Sequence, residues 1–588
     1  MHDLWQTIEC QNRHALAGET SAGRGAVLIS TRSEPGATRN AAPHAEQLSA
    51  DSQALLREAV RVLRFGALLF IYGAPRELAL WGRSAERLAT ADARLLFKYW
   101  IALDLDPACR DGFLQPAHRG LLLFQKVSAH RKTRPPFPLQ AAAARVPHQS
   151  CAACGRTLKD WGGKRHLMHP QGAALSDVWR DLSPQHLADS VAPAAVLQRL
   201  AALTPDAAGQ RLHLLQTAAT LSSRSVPEPP DLVLTADTAV PAPPLRLRKL
   251  ERNRVYHADC VAFLERVARL YPEGIFDMVF ADPPYNLEKN YAAYADDLAE
   301  RHYLAWCEHW LAGMARTLKP GGSLFVLNLP RWAMYHAAFL HAHLTFRHWI
   351  AWDALSEPRG RLMPAHYALL YYTKPGGKPV FNYRGVGRAI KEGDAGDAVT
   401  PPDAPQYCLR AGCLRDRKAR GDDARVELSD VWFDVHRIKH KRDRDAHPCQ
   451  LPEKLMERLI RLTTRPGDLV FDPFCGAGTT AIAARKLGRD FVVVDLDADY
   501  VRLTREKLVA MARGQAASGV AAFPRARVAR PRKAVSKRDV ELALQQLARD
   551  LGRAPTEADL SPELLRQIAL RYPYPGAALK RARIGLSP

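Results

Sequence analysis

Much of this 588-residue chain is written twice. RVLRFGALLFIYG (Arg61–Gly73) lines up with RTLKPGGSLFVLN (Arg316–Asn328), and YWIALD (Tyr99–Asp104) lines up with HWIAWD (His348–Asp353). PAHRGLLLFQK, ending at Lys126, matches PAHYALLYYTK, ending at Lys374, and LSDVW occurs at Leu175 and again at Leu428. APAAVLQRLAALT (Ala192–Thr204) matches LPEKLMERLIRLT (Leu451–Thr463). Matches that keep one order and a nearly constant offset are hard to reach by chance. A fold that holds the second half must therefore also hold a diverged copy of it in the first.

Two Pro-punctuated stretches divide the chain, 218–250 with PEPP and PAPP, and 513–535 with the basic FPRARVARPRKA. They leave an unassigned segment 1–50, a front copy 51–217, a central domain 251–512 and a tail 536–588. In the central domain, short β-branched runs at Met278–Ala281, Ser323–Leu327, Leu469–Phe471 and Phe491–Val494 predict strands. Amphipathic stretches at Leu304–Leu318, Pro452–Leu462 and Thr479–Leu487 predict helices. This alternation predicts an α/β fold, a mostly parallel sheet with helices on both faces. Apolar runs such as Phe65–Tyr72 are far too short to span a bilayer, and no signal peptide opens the chain. Ten cysteines are too sparse for a disulfide scaffold, so a reducing cytoplasm is the expected location.

Chemistry is concentrated in the central copy. IFDMVFADPPYNL (Ile275–Leu287) is an apolar strand running straight into Asp282-Pro283-Pro284-Tyr285. That position is the carboxyl end of a sheet strand, where open α/β folds bind ligands. The prolines fix the backbone and remove two N–H donors. What remains is an acceptor-only rim, the Asp282 carboxylate and the Pro283 carbonyl, with an aromatic ring beside it. Such a rim suits an exocyclic amino group on a flat base, although Asp-Pro-Pro can also be a plain turn.

DLVFDPFCGAGTTAIAARKLGRDFVVVDLDADY (Asp468–Tyr500) reads as strand, Gly-rich turn, helix, strand and acidic residue. Gly476 and Gly478 allow a tight turn and close backbone approach, with a helix starting near Thr479. Asp495 ends the next strand, placed for ribose hydroxyls. No glycine follows at the third position of the dinucleotide fingerprint, so a nucleoside with a small polar tail fits better than a pyrophosphate.

Together with VYHADCVAFL and HPCQLPEKLMERLI, these motifs resemble the amino-group-specific DNA methyltransferases that use S-adenosylmethionine, over about Asn253–Met511. The order, DPPY before the Gly-rich motif, resembles the β class. The departure is His447-Pro448-Cys449-Gln450-Leu451-Pro452 where the family usually has HPTQKP. The resemblance implies a Rossmann-like methyltransferase sheet. It gives Phe474, Gly476, Gly478 and Thr479 to the methionine part of the cofactor, with Asp472 also in the cofactor set. Asp495 goes to the ribose and Asp259 to the adenine. Asp282 and Pro283 would hold the target amino group, Pro284 would stiffen the rim and Tyr285 would stack on the base. Asp at the first position leans toward N6 of adenine, with N4 of cytosine as the alternative. A DNA-binding protein that has lost activity and an RNA methyltransferase are the more distant readings. Cys475 and Cys449 are expected to be packing residues.

A net charge of +22 implies a polyanionic partner, here double-stranded DNA. The resemblance places target recognition in Tyr383–Ala446, where Lys439, Lys441, Arg442 and Arg444 are candidate phosphate and base contacts. It also raises a restriction endonuclease as partner, while the chain itself carries no nuclease motif. The tail resembles small helical repeats associated with homing endonucleases, implying an all-α DNA-binding module. Its first helix should be capped by Ser536 with Asp539, with a stripe of Val540, Leu542, Leu544 and Leu547 and with Lys580, Arg581 and Arg583 at the end. The front copy lacks both motifs, having AVLISTRSEPG (Ala26–Gly36) and RLHLLQTAAT (Arg211–Thr220) in their places. It is expected to be catalytically silent. It does carry Cys151 and Cys154, followed by His166 and His169, a set able to hold a structural zinc.

Overall fold

The computed structural model describes the chain from Leu4 to Ile584, except mainly 11–15, 20–22, 32–45, 106–112, 131–134, 142–144, 158–165, 183–190, 224–244, 290–293, 355–360, 383–409, 421–427, 438–449 and 515–534, with single residues and pairs besides. The first half contains β1 (Gln6–Cys10), β2 (Arg24–Ser30), β3 (Glu46–Leu48), α1 (Ala50–Val62), β4 (Leu63–Gly73) and α2 (Pro75–Arg87). It continues with β5 (Ala93–Asp104), β6 (His118–Ser128), β7 (Val178–Trp179), α3 (Ala194–Leu203), β8 (Arg211–Gln216) and β9 (Leu221–Ser223). The second half opens with β10 (Arg254–His257), α4 (Cys260–Leu270), β11 (Phe276–Ala281), α5 (Glu300–Thr317), β12 (Leu318–Asn328) and α6 (Pro330–Leu340). Then come β13 (Thr345–Asp353), β14 (His366–Thr373), α7 (Ala411–Ala419), β15 (Val431–Trp432), α8 (Glu453–Thr463), β16 (Leu469–Asp472) and α9 (Thr479–Lys486). β17 (Asp490–Asp495), α10 (Ala498–Ala512), α11 (Lys537–Leu551), α12 (Pro562–Arg571) and α13 (Pro575–Arg581) complete it.

One sheet runs β1-β8-β2-β4-β6-β5-β7 and the other β10-β17-β16-β11-β12-β14-β13-β15. The chain divides into two compact units. One holds Met1–Val226, Phe325–Arg437 and Arg461–Thr464, and the other Pro227–Leu324, Ile438–Ile460 and Arg465–Pro588. The repeated peptides make repeated local structure. Ala102↔Val178 and Leu103↔Trp179 join β5 to β7 in the register by which Ala351↔Val431 and Trp352↔Trp432 join β13 to β15. The register slips between Phe97 and Tyr99 in one copy and between Phe346 and His348 in the other, which are matched positions. Trp179 and Trp432 each donate the indole N–H to the carbonyl three residues back, of Ser176 and Ser429. α2 and α6 both begin with proline at the first helical position, where no N–H is needed.

Within the first unit, matched residues also meet one another. Trp100 stacks on Trp349 with ring centroids 3.8 Å apart and 10° between planes. Asp430 accepts from the His118 N–H at 2.8 Å, and Asp177 accepts from the Ala365 N–H at 2.8 Å. Glu86 on α2 pairs with Arg331 on α6 at 2.6 Å. The stack of matched tryptophans, with the matched aspartates each reaching the other peptide one residue apart in register, approximates the pairing of a two-fold interface.

Several boundaries differ from the sequence expectation. Segment 1–50 supplies β1 and β2 to the first sheet, and the 218–250 stretch begins with β9, paired to β3. The sheets are mixed: β10, β17, β16 and β11 run parallel, whereas β13 and β14 are antiparallel. Only 12 residues separate β13 from β14, since Asp353 and His366 end and begin them, and the described residues among these form no crossover helix. An antiparallel pair needs none.

In the second unit, α11, α12 and α13 enclose a small core of Val540, Leu544, Leu560, Ile568, Tyr572 and Leu579. Ser536 and Asp539 form the expected reciprocal cap. Leu542 leaves the predicted stripe and is 47% exposed, because two residues along a helix turn about 200° from Val540 and Leu544. Arg581 pairs with Glu541 at 3.6 Å, so one of the basic side chains of the last helix is used inside the module. Arg583 lies outside the described residues. Asp297 fastens the module to the segment before α5, accepting from the Lys537 N–H and pairing with the buried Arg571 at 3.2 Å. No helix among the described residues is long and apolar enough to cross a membrane.

Candidate active site

Asp282 begins where β11 ends, and the glycine turn begins where β16 ends. These strands are parallel neighbours, with Met278 opposite Val470 and Val279 opposite Phe471. Both motifs therefore emerge at carboxyl ends of adjacent strands in the second unit. Continuous apolar sequence explains why each strand is buried on both faces and arrives at its motif rigidly.

The Tyr285 hydroxyl donates to Asp282 Oδ1 at 2.5 Å, and the Tyr285 ring is only 5% exposed. Burial lifts the Asp282 carboxyl to about 7; the Tyr285 hydroxyl lowers it, the Asp472 charge raises it and Lys289 lowers it. The Pro284 carbonyl accepts from the Tyr303 hydroxyl at 2.8 Å. Among the described residues no hydrogen-bond donor takes the Pro283 carbonyl, the second acceptor of the expected rim. Beyond Tyr285 the chain wraps around Asp296. Its carboxylate accepts from the N–H groups of Asn286, Leu287 and Lys289 at 2.6, 3.0 and 3.2 Å. That grip holds Asn286 and Glu288 at φ 56° and 59°, conformations that cost side-chain-bearing residues energy.

The second motif is tied just as closely. Asp472 accepts from the Phe474 N–H at 2.8 Å and the Thr480 hydroxyl at 2.5 Å, and burial lifts its carboxyl to about 6. Its bonds therefore shape the turn. Asp495 accepts from the Gly476 and Asp497 N–H groups at 2.7 and 2.8 Å, and burial lifts it to about 7. Each carboxylate oxygen keeps a further lone pair for a ligand. Gly478 stands at φ 83° as the cap of α9, so Thr479 does begin that helix. A Cβ on Gly478 would lie 2.6 Å from Thr504 Cγ2. Asp259 caps α4, accepting from the Ala262 N–H at 2.9 Å, and burial raises its pKa. It follows β10, whose His257 is opposite Asp495.

Several residues of the site were not foreseen. Thr504 donates to the Gly476 carbonyl at 3.1 Å and the buried Lys507 to the Ala477 carbonyl at 2.9 Å, bracing the turn from α10. Tyr303, Trp306 and Trp310 lie on one face of α5, and the half-buried Phe474 meets Trp306 and Trp310 edge-on at 5.7 and 5.3 Å. Their spacing of three and four residues was the available signal. Burial keeps the Cys475 thiol well above its ordinary range, consistent with packing and not with nucleophilic use. Lys439, Lys441, Arg442, Arg444 and Cys449 lie outside the described residues.

The expected zinc set is only partly brought together. Cys151 and Cys154 cluster with Cys413, whereas His166 and His169 are exposed and outside that cluster. The His169 ring accepts from the Gln171 N–H through Nδ1 at 3.2 Å, a local turn contact.

A tight glycine turn braced from α10, the buried Asp472 with the partly buried Asp282 and Asp495, and a half-exposed aromatic ring fit a nucleoside carrying a small cationic tail, as S-adenosylmethionine does. Residues 276–506 match the DNA methylase family model N6_N4_Mtase. The chain is 36% identical over 251 residues to the Type II methyltransferase M.BamHI of Bacillus amyloliquefaciens, covering 42% of this chain and 54% of that one. It is 30% identical over 241 residues to the Type II methyltransferase M.HpaI of Haemophilus parainfluenzae, covering 40% and 69%. It is 26% identical over 268 residues to the DNA adenine methyltransferase YhdJ of Escherichia coli K12, covering 44% and 83%. The chain thus spans about half of the M.BamHI relative and more than two thirds of the M.HpaI one. A sequence that carries both motifs on neighbouring strands and matches a named member to that extent belongs to the N6/N4 family of DNA methylases.

Proposed function

We propose that the protein methylates DNA at the exocyclic N6 amino group of adenine, with S-adenosylmethionine as methyl donor. The observation that carries this reading is the acceptor rim of Asp282 and Pro283 beside the glycine turn of Gly476 and Gly478. The cofactor supplies a methyl group activated on a positively charged sulfur. Phe474, Gly476, Gly478 and Thr479 would hold its amino-acid end, and Asp495 and Asp259 its nucleoside end. The Asp282 carboxylate and Pro283 carbonyl accept the two N–H bonds of the target amino group. This draws the nitrogen lone pair out of conjugation and aims it, an effect of positioning and preorganised acceptors. The base has to leave the duplex to reach the rim, and Tyr285 offers it a ring to stack on. Asp at the head of the DPPY motif and the adenine enzyme YhdJ among the relatives support N6 over N4.

The front copy serves, in this reading, as a silent counterpart that stands where a second subunit would. The sequence between β8 and β9, Thr217–Thr220, carries no glycine, and β1 takes the sheet position next to β8 that β17 takes next to β16. The +22 charge supplies the attraction to DNA. Relatives named Type II methyltransferases support a restriction endonuclease acting on the same sites.

Incubating the full chain with labelled cofactor and DNA, then separating nucleosides by mass spectrometry, tests the reading. N6-methyladenine is expected. N4-methylcytosine would reassign the base, and label in RNA alone would overturn the substrate.

Tyr285→Phe gives a finer check. The lost hydroxyl is one of the groups lowering Asp282, so the carboxyl rises above about 7. A rise of about one pK unit lowers kcat/KM at pH 7 about threefold to tenfold, with recovery at higher pH. Unchanged kcat/KM at both pH 7 and pH 9 would assign Tyr285 to stacking alone.

A further inference from the structure

Ser150 and Thr157 form an antiparallel bridge. The turn between them is closed by the Cys151 N–H on Arg156 O at 2.7 Å and the Gly155 N–H on Cys151 O at 2.8 Å. Gly155 follows Cys154 at φ 64°, and a Cβ there would meet nothing within 4 Å, so it is the backbone conformation that calls for glycine. A hairpin of this kind turns two cysteines spaced C-x2-C toward one point. The third thiol comes from the other half of the chain but the same compact unit. Cys413 lies on α7, which follows β14 as the hairpin follows the matching β6.

Cys151 Sγ and Cys413 Sγ are 3.7 Å apart, and the sulfurs of Cys151, Cys154 and Cys413 all lie within 4.8 Å of one another. A disulfide requires about 2.05 Å. Thiolates bound to zinc at about 2.3 Å stand about 3.8 Å apart at tetrahedral corners. Cys151 and Cys413 are 1% and 7% exposed, and Ala153 packs against them. Arg410, just before α7, donates to the Thr157 carbonyl at 2.8 Å, so the two segments are joined by more than their sulfurs.

We propose that Cys151, Cys154 and Cys413 hold a zinc ion, with water completing the fourth corner. Each coordinating thiol gives up its proton to solvent as the metal binds. The ion pins α7, which lies within the 383–446 segment assigned to target reading, to the first half of the chain. His166 and His169 take no part.

The test uses the full chain, purified from zinc-supplemented medium and dialysed without chelator. Metal analysis is expected to find about one zinc per chain, as for a structural site. Cys151→Ser and Cys413→Ser should each lower the zinc content several-fold, while the double variant His166→Ala, His169→Ala keeps it. Because a cysteine variant can misfold, the wild-type chain is also stripped and titrated with cobalt. Sulfur-to-cobalt charge-transfer absorption saturating at one equivalent is expected. Wild-type protein without zinc and without that absorption would overturn the proposal. So would zinc retained in Cys413→Ser and lost in the histidine variant.

Discussion

Gly478→Ala should abolish high-affinity cofactor binding while leaving the chain folded. At φ 83° an alanine costs about 1–2 kcal/mol of backbone strain. Its Cβ would stand 2.6 Å from Thr504 Cγ2, and overpacking of that kind costs about 1–3 kcal/mol more. α10 can yield only by breaking the Thr504 and Lys507 hydrogen bonds that brace the Gly476 and Ala477 carbonyls. The strain is therefore released where the turn meets its ligand. At about 1.4 kcal/mol per tenfold, the summed cost of about 2–5 kcal/mol should lower affinity for S-adenosylmethionine about 30- to 3000-fold by calorimetry. Adding Thr504→Ala clears the clash but not the backbone strain, so it should restore part of the loss. Full affinity in Gly478→Ala alone would show that the turn does not cradle the cofactor.

Asp282→Asn should move activity and stability in opposite directions. The variant replaces two acceptor oxygens by one oxygen and an NH2 that faces the target amino group donor to donor. Loss of one preorganised polar partner costs about 10²–10³ in rate, and a repulsive contact adds to that. Stability follows from the raised carboxyl. Burial holds Asp282 at about 7 and Asp472 at about 6, against about 3.9 for an unfolded Asp. Between about pH 4 and 7 the unfolded chain has released these protons and the folded chain has not. The folded state binds more protons in that window, so stability falls as pH rises through it and levels off above about 7. The asparagine variant no longer carries the Asp282 part of this penalty. Its Tm at pH 7.5 should exceed that of the wild type, with the difference vanishing near pH 4. A Tm difference that does not change with pH would contradict the buried carboxyl.

The same reasoning gives the activity profile of the wild type. Only the carboxylate form of Asp282 offers two acceptors, so kcat/KM should rise with pH to a limb near pH 7. A profile flat from pH 5 to 9 would place the titrating group elsewhere.

Local chemistry was legible in the sequence because local forces set it. The run Phe276–Ala281 had to be a buried strand, so the residues after it had to sit at a sheet edge. Glycines at 476 and 478 announced a turn, and Ser536 with Asp539 announced a helix start, since each bond spans only a few residues. Matched peptides were legible as well, and the strands they form share a register slip at Phe97 and at Phe346. What stayed hidden depends on groups that meet only after folding. Thr504 reaches the turn from 28 residues away, and nothing in a helical pattern marks it as a brace. Cys413 lies 262 residues from Cys151, so spacing offered the nearby His166 and His169 in its place. Leu542 looked like core by composition, but helical geometry turns it outward. Tyr285 was expected to offer its ring, and its hydroxyl proved to be the partner of the carboxylate it stands beside.

One measurement bears most directly on the proposal that the two neighbouring strand ends form one transferase site. Wild type and Asp282→Asn are compared in a single turnover on unmethylated DNA, with cofactor affinity measured alongside. Labelled methyl groups should pass to DNA with the wild type, while the variant binds S-adenosylmethionine at least as well and transfers about 10² times more slowly or worse. Equal transfer by the variant, or none by the wild type, would contradict it.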